Sequence, residues 1–356
     1  MKRIYVILDY LGTFASRYTG NQGVDLKILE KYFLEKDCEA IYKRFYEINF
    51  REDTYKNAIV IYQSSEDTHD KYKSYVDDIL LGLKLKGAIL IPDYIYFKAH
   101  QDKLFMEILR DLNSNIQLKT ITSKYYGTYE EYFQNINEHF NNEKEVFKPA
   151  WGSGSINIIK LSSNKEKTII PKILSETREY KKLRQFFYAP IKSFYQKFKG
   201  IFIKKHTSNI LLKESINREK FIIQNFISEL FHDYKILVFG KKYYVLLRHN
   251  RQNDFRASGS GNFRWIDKPG SDLLDYAENV FKSFNTPYLS LDVAEKEGRF
   301  YLFEFQFIMF GTLTMEESEF YFQKIENNWE KKMEKPVLER EIVQSITDFL
   351  ACKDLN

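Results

Sequence analysis

The sequence predicts an α/β protein that becomes α+β in its later part. Three observations carry this. Over residues 1–98, strand-like apolar runs alternate with segments of helical spacing. From residue 221 onward, runs rich in β-branched and aromatic residues succeed one another with short turns. Between them, residues 161–220 form a basic stretch unlike either neighbour.

In chain order, "RIYVILDY", "NAIVIYQSS" and "GAILIPDY" read as strands. "DLKILEKYFLEKD" and "YKSYVDDILLGLKLK" read as the helices between them, and such alternation argues for a mainly parallel sheet. Residues 102–112 and "YGTYEEYFQNINEHF" (126–140) read as helices. "EVFKPAWGSGSINIIKL" reads as two strands around a Gly/Ser turn. "FIIQNFI", "YKILVFG" and "KYYVLLRH" continue as strands, with a helix near 271–284. "SEFYFQKIENNWEKKM" and "LEREIVQSITDFLA" are expected to close the chain as helices, spanning 316–333 and 337–351, and offer a candidate subunit interface. This gives three domains: 1–98, 99–220 with the basic segment inserted at about 161–220, and 221–356.

The chain has 356 residues, enough for a large core divided into lobes. Its two cysteines, Cys38 and Cys352, give neither a metal spacing nor a disulfide framework and fit a reducing cytoplasm. The six histidines show no zinc spacing, and no Ser/His/Asp or Cys/His set stands out. Asp9 ends the first apolar run too early for a signal peptide, and no run approaches a membrane span. The net charge of +5 is uneven: residues 160–220 carry 16 Lys/Arg against 5 Asp/Glu, leaving the rest of the chain acidic.

The stretch "LSLDVAEKEGRFYLFEFQFIMFGT" carries the sharpest chemical signal. Strict alternation from Arg299 to about Met309 puts Leu302, Glu304, Gln306 and Ile308 on one face, and Tyr301, Phe303, Phe305 and Phe307 on the other. A three-residue loop, Lys296–Glu297–Gly298, places Asp292 opposite Leu302 and one diagonal step from Glu304. An even-length loop would send Asp292 to the opposite face. Two carboxylates and an amide oxygen on one wall suit Mg²⁺, which accepts one or two carboxylates and completes its shell with water and phosphate. A buried salt bridge to a Lys or Arg accounts for the same residues equally well.

Four segments in this order resemble the ATP-grasp superfamily, in particular its carboxylate–amine ligases: "VFKPAWGSGS", "FIIQNFI", "DYKILVFGKKYYVLLR" with "DFRASGSGNF", and "LDVAEKEGRFYLFEFQ". The resemblance covers roughly residues 100–312 and implies an ATP-grasp fold preceded by an α/β lobe. It implies that Lys148 and the loop Gly152, Ser153 and Gly154 hold ATP phosphates as a lid, with Lys103 as an earlier nucleotide contact. A glycine hairpin with a surface lysine is the plain reading of the first, and a solvated helix lysine of the second. It implies that Gln224, Asn225, Phe226 and Ile227 hold adenine, although many relatives carry Glu where this chain has Asn225. Arg248 and Arg256 match arginines that stabilise the transferred phosphoryl group, Lys235 stands where several relatives have Arg, and Asp233 reads as a structural residue beside them. A surface ion pair is the alternative for each arginine. Asp292, Glu304 and Gln306 resemble the metal triad, with Gln306 in place of the usual Asn.

The function this resemblance implies is that of an ATP- and Mg²⁺-dependent ligase. It would join a small-molecule or glycan carboxylate to an amine through an acyl phosphate, for example an amino acid to a sugar acid or a peptide. A binding module that has lost catalysis is the alternative from another class, and phosphotransfer to a non-carboxylate acceptor is a third. In the basic segment, Phe187, Ile191, Phe194 and Phe198 fall at helical spacing beside Lys192, Lys197 and Lys199, interrupted by Pro190. It reads as a helical hairpin on the lid, a dock for an acidic glycan, or a membrane-surface helix that would place the protein at the inner membrane face. No recognisable RNA-binding module accompanies it, which counts against RNA. Oligomeric state is left open by the sequence.

Overall fold

The computed structural model describes the chain except residues 16, 18–22, 66–70, 101, 136–144, 153–156, 162–168, 172, 175–217, 253, 255, 258 and 355–356. The chain forms two compact units, one of Met1–Ile121 with Ser228–Asn356 and one of Thr122–Ile227. This partition differs from the three consecutive domains expected from the sequence.

The first unit opens with strands β1 (Lys2–Leu8), β2 (Cys38–Arg44), β3 (Ile59–Ile61) and β4 (Ile89–Ile91). They form a parallel sheet in the order β2-β1-β3-β4. The apolar run of β1 serves both faces of that sheet: Ile4, Val6 and Leu8 enter one core, Tyr5 and Ile7 another. Helices Leu26–Glu35 and Lys71–Leu85 lie between the strands in sequence, the first capped by the Asp25 carboxylate, which accepts from the Lys27 and Ile28 amides.

The second unit holds a four-stranded antiparallel sheet of β5 (Ser123–Thr128), β6 (Glu145–Pro149), β7 (Ile159–Lys160) and β8 (Arg218–Asn225), in the order β5-β8-β6-β7. Phe147, Phe221 and Ile223 pack with Tyr126 and Tyr132 in its core. Residues 126–128, expected at the start of a helix, complete β5 instead. The helix begins at Tyr129, where Thr128 and Glu131 form a capping box.

The chain then returns to the first unit as β9 (His232–Phe239), β10 (Lys242–His249), β11 (Phe263–Trp265), β12 (Tyr288–Lys296), β13 (Arg299–Gln306), β14 (Phe320–Ile325) and β15 (Asn328–Met333). This sheet runs β13-β12-β9-β10-β14-β15, with β11 beside β10. One face is apolar throughout: Ile236, Val238, Val245, Leu291 and Val293 pack with Leu274 and Ala277 of helix Ser271–Lys282. The other face changes character along its length. Leu237, Phe239, Tyr244 and Tyr288 pack with Ile4 and Ile61 of the parallel sheet and with Ile342 and Ile346 of the closing helix Leu338–Asp354. Further along β9 and β12, the same face presents Lys235 and Asp292.

The hairpin register differs from the sequence expectation in two compensating ways. The turn has two residues, Glu297 and Gly298, with Lys296 paired to Arg299. Both turn residues take positive φ, 55° and 73°, which matches the right-handed twist of the flanking strands. An even turn would by itself send Asp292 away from Glu304. A bulge restores the pairing: Val293 faces Leu302 but Asp292 faces Glu304, so Phe303 is the extra residue. Leu302 therefore lies in the same core as Phe305 and Phe307, rather than on the face of Glu304 and Gln306.

The segment 318–333 is the β14–β15 hairpin, not the expected helix. Phe320 and Phe322 alternate toward the apolar core, and Glu326 turns the chain with φ 55°. Beyond β13, Met309 also takes positive φ, 50°, and Phe307, Ile308 and Phe310 enter three different cores. Among the described residues, no helix is long and apolar enough to cross a membrane.

Helix Lys103–Leu112 carries a fully buried ion pair, Arg110 to Glu107 at 2.9 Å. Arg110 also donates to the Leu118 carbonyl and lies 5.4 Å from the centre of the Phe305 ring. Removing one member of such a pair leaves an uncompensated buried charge. Glu107→Ala is therefore expected to cost about 3–5 kcal/mol, and the double change Glu107→Leu, Arg110→Met clearly less. Urea unfolding of the two variants beside wild type checks this.

Candidate active site

The charged end of the antiparallel sheet is built by strand alternation. Asp233 and Lys235 on β9, Arg248 on β10, Asp292 on β12, and Glu304 with Gln306 on β13 all project to one face. Arg248 grips the Asp233 carboxylate with two hydrogen bonds, of 2.7 and 2.8 Å. Its Nη2 also reaches Asp292 Oδ2 at 2.8 Å, and Lys235 Nζ reaches Asp292 Oδ1 at 2.9 Å. All four side chains are nearly buried, between 12% and 14% exposed, so the two cations and two carboxylates balance one another where little water reaches.

Burial pushes the Asp292 carboxyl up, but Arg248 and Lys235 beside it win and hold it well below the usual carboxylate range. Burial raises Asp233, and the neighbouring Asp292 adds to this, against the pull of Arg248. Arg248 is held charged: its two carboxylate partners outweigh its burial. Asp233 thus holds the guanidinium in a buried pair, which spacing alone does not distinguish from a surface pair.

Glu304 stands directly across from Asp292 and accepts a hydrogen bond from Gln306 Nε2 at 3.0 Å. That donation turns Gln306 Oε1 away from the carboxylate. Lys103, nearly buried at the start of its helix, loses basicity through burial, opposed by the charges of Glu304 and Asp102. Arg256 pairs with Asp254 through Nε at 2.9 Å and Nη2 at 2.6 Å, and this pairing raises its pKa.

Within the other unit, Lys148 lies on β6 opposite Ile222 of β8. Gly152 comes after β6 with φ 96°, and among the described residues nothing stands within 4 Å of where a side chain would begin, so the backbone conformation itself favours glycine. Ser153 and Gly154 lie outside the described residues, as does the expected helix around Phe187–Phe198. Gln224 is buried and donates to Ser123 Oγ at 3.1 Å. Asn225 Oδ1 accepts from the Thr122 amide at 2.8 Å. Both polar side chains of the segment expected to meet adenine thus tie β8 to the start of β5. Lys160 Nζ sits 4.2 Å from the centre of the Phe226 ring, a cation–π contact with no periodic signal in the sequence.

Mg²⁺ fits this donor set by its chemistry. Glu304 and Asp292 face one another across adjacent strands, and Gln306 would add an amide oxygen on turning over its amide, whose nitrogen now donates to Glu304; all are hard ligands. Asp292 would have to exchange Lys235 or Arg248 for the ion. Among the described residues no group of three or more His, Cys, Asp and Glu is placed to hold a metal, so the amide of Gln306 is needed to complete a three-donor set.

No protein-family model and no curated protein sequence matches the chain. Solved structures do. The chain is similar to D-cycloserine synthetase DcsG at 10% identity over 98% of this chain and 99% of that one, with a TM-score of 0.54. It is also similar to a RimK domain ATP-grasp protein of Sphaerobacter thermophilus, at 10% identity over 98% and 99% of the two chains (TM-score 0.48). A third is a RiPP-associated ATP-grasp ligase of Chryseobacterium gregarium with ADP and a leader and core peptide, at 14% identity over 99% and 97% (TM-score 0.47). At such identities the likeness is one of fold.

Two outcomes are expected from the geometry. Deleting Phe303 takes out the extra residue and leaves a regular hairpin in which Leu302 still faces Val293 and Glu304 still faces Asp292, whereas deleting Phe305 reverses the alternation beyond it and drives Gln306 toward the apolar core. The Phe303 deletion is expected to unfold at urea close to wild type, and the Phe305 deletion at markedly lower urea. The Asp292 carboxylate, depressed in the folded state, contributes stability that is fully present above about pH 4 and lost as pH falls through its folded pKa. Asp292→Asn should accordingly be less stable than wild type at pH 7, with the gap narrowing below about pH 4, as read from unfolding curves across pH.

Proposed function

Given an ATP-grasp fold that carries this charged wall, we propose that the protein is an ATP-dependent ligase joining a carboxylate to an amine. The observation that carries the reading is the bulged register, which sets Asp292 opposite Glu304 with Gln306 alongside and Arg248 and Lys235 within ion-pair reach of Asp292. A bulge is the device by which a strand re-aims side chains, and here it gathers hard oxygen donors and fixed cations at one place.

In this reading a substrate carboxylate attacks the γ-phosphate of ATP, giving an acyl phosphate and ADP, and an amine then attacks the acyl carbon and expels phosphate. Mg²⁺, held by Asp292, Glu304 and Gln306, would supply neutralisation of phosphate charge. The protein's own part is positioning and fixed electrostatics. Asp233 holds the Arg248 guanidinium at a set angle, so its remaining N–H groups are oriented before a ligand arrives. Lys235 adds a point charge on the same face. Lys103, with its basicity already reduced by burial, gains most from an arriving anion. Lys148, Gly152, Ser153 and Gly154 would meet the phosphates. The apolar segment with Phe226 and Ile227 would receive the base through backbone groups and ring faces, because Gln224 and Asn225 are already engaged. Arg256 would join the site by leaving Asp254.

The balance of charge around Asp292 favours one other reading. Two cations and two carboxylates already satisfy one another, as a structural network in a binding module without catalysis would. For the ligase, the carboxylate substrate would be a small molecule, a peptide or a glycan, with the basic segment 161–220 as the contact for an acidic acceptor or membrane surface.

Calorimetry with MgATP separates the two readings. Wild type is expected to bind ATP in a Mg²⁺-dependent way. Glu304→Gln should abolish that dependence, and Gln306→Leu should raise the Mg²⁺ needed by about 10–100-fold, the range seen when groups supporting a metal site are lost. ATP binding indifferent to Mg²⁺ in wild type would leave the structural network as the explanation. ADP release across pairs of carboxylates and amines then identifies the substrates.

A further inference from the structure

A cavity of about 40 Å³ lies where the loops after β1, β3 and β13 meet the closing helix. Phe14, Tyr62, Tyr288, Ile308, Phe310 and Ile342 are among the residues that wall it. Among the described residues, no charged side chain lines it. Its polar feature is Gln63, which is 5% exposed. Gln63 Nε2 donates to the Thr13 carbonyl at 3.2 Å. That bond fixes the orientation of the amide, because the reversed amide would set oxygen against oxygen. Gln63 Oε1 is then a buried acceptor with no hydrogen-bond partner among the described residues. Of the other polar groups lining it, the Tyr62 hydroxyl donates to the Pro92 carbonyl at 2.8 Å and Thr312 donates to Glu316.

Buried acceptors are nearly always satisfied, by protein, by water or by a ligand, and this cavity is larger than a single water needs. The place is also informative. Gln63 comes just after the carboxyl end of β3, where parallel sheets receive ligands, and Ile308 comes two residues after Gln306. The cavity is therefore lined in part by the segment that directly follows the strand carrying Glu304 and Gln306.

We propose that this cavity is a subsite for one co-substrate, and that it takes a small, uncharged apolar group bearing a single hydrogen-bond donor, an amide N–H or a hydroxyl, which Gln63 Oε1 accepts. The apolar walls reject a charged end, because none of the described residues lining it carries a charge to compensate a buried one. The subsite excludes a sugar acid or other polyanion from this position and assigns any acidic acceptor to another part of the protein. As a co-substrate site it rests on the ligase reading above, but its binding chemistry is measurable without ATP.

The test is binding of three probes of similar size to the full chain, by ligand-observed NMR: isobutyramide, isobutyrate and isopropylammonium. Isobutyramide should bind at least tenfold more tightly than either ion. Gln63→Met, which keeps the length and removes the acceptor, should weaken isobutyramide at least tenfold, and Ile342→Phe should close the cavity to it. MgATP affinity, measured on the same samples, should be unchanged in Gln63→Met. Equal binding of all three probes, no binding of isobutyramide to wild type, or full binding by a folded Gln63→Met would each overturn the proposal. The wild-type selectivity decides even where a variant fails to fold. Loss of MgATP binding in wild type would instead sink the ligase reading and leave the cavity's chemistry standing.

Discussion

Everything distinctive about the charged face depends on one extra residue in a strand. Without the bulge at Phe303, the two-residue turn at Glu297–Gly298 would set Asp292 and Glu304 on opposite faces of the sheet. With it, Leu302 and Phe305 can both fill the core while Glu304 and Gln306 turn outward together. The apolar core and the polar wall therefore impose one joint constraint on β13. Packing on one side fixes Phe305 and Phe307, and pairing on the other fixes Glu304.

The wall itself is a balance of charges. Asp292 is shared by Arg248 and Lys235, and Asp233 anchors Arg248 from the other side. Buried pairs of this kind contribute little net stability against a well-packed apolar alternative, but losing one partner is severe. Such a network suits a face whose charges must be held in place and must also be able to change partners. In the proposed ligase, Arg248 and Lys235 would pass to a polyphosphate and Asp292 would help hold Mg²⁺, so the balance would be kept.

Much of the architecture is legible in the sequence because its signals are local. The parallel sheet shows as apolar runs between helical spacings, and the wall residues Asp233, Lys235, Arg248, Asp292, Glu304 and Gln306 are visible as polar interruptions of apolar strands. The register is not legible, because the turn and the bulge each shift it by one and only their sum can be inferred from chemistry. The hairpin Phe320–Met333 reads as a helix because its second strand is short of apolar residues. Trp329 anchors that strand, packing against the core and donating to Asp275. The engagement of Gln224 and Asn225 by Ser123 and Thr122 is equally hidden, because contacts across about a hundred residues leave no periodic trace.

The first unit is discontinuous: Met1–Ile121 is completed only by Ser228–Asn356, and the second unit lies between them in sequence. During synthesis this sets an order. The parallel sheet emerges early, yet the core over one of its faces is filled by Leu237, Tyr288 and Ile342, which come late. The second unit draws its contacts from a contiguous stretch closed by the Thr122–Asn225 hydrogen bonds, so it can fold while the rest of the chain is still being made. The early lobe meanwhile waits with apolar surface uncovered, a state open to aggregation and to chaperone capture until the last helix arrives.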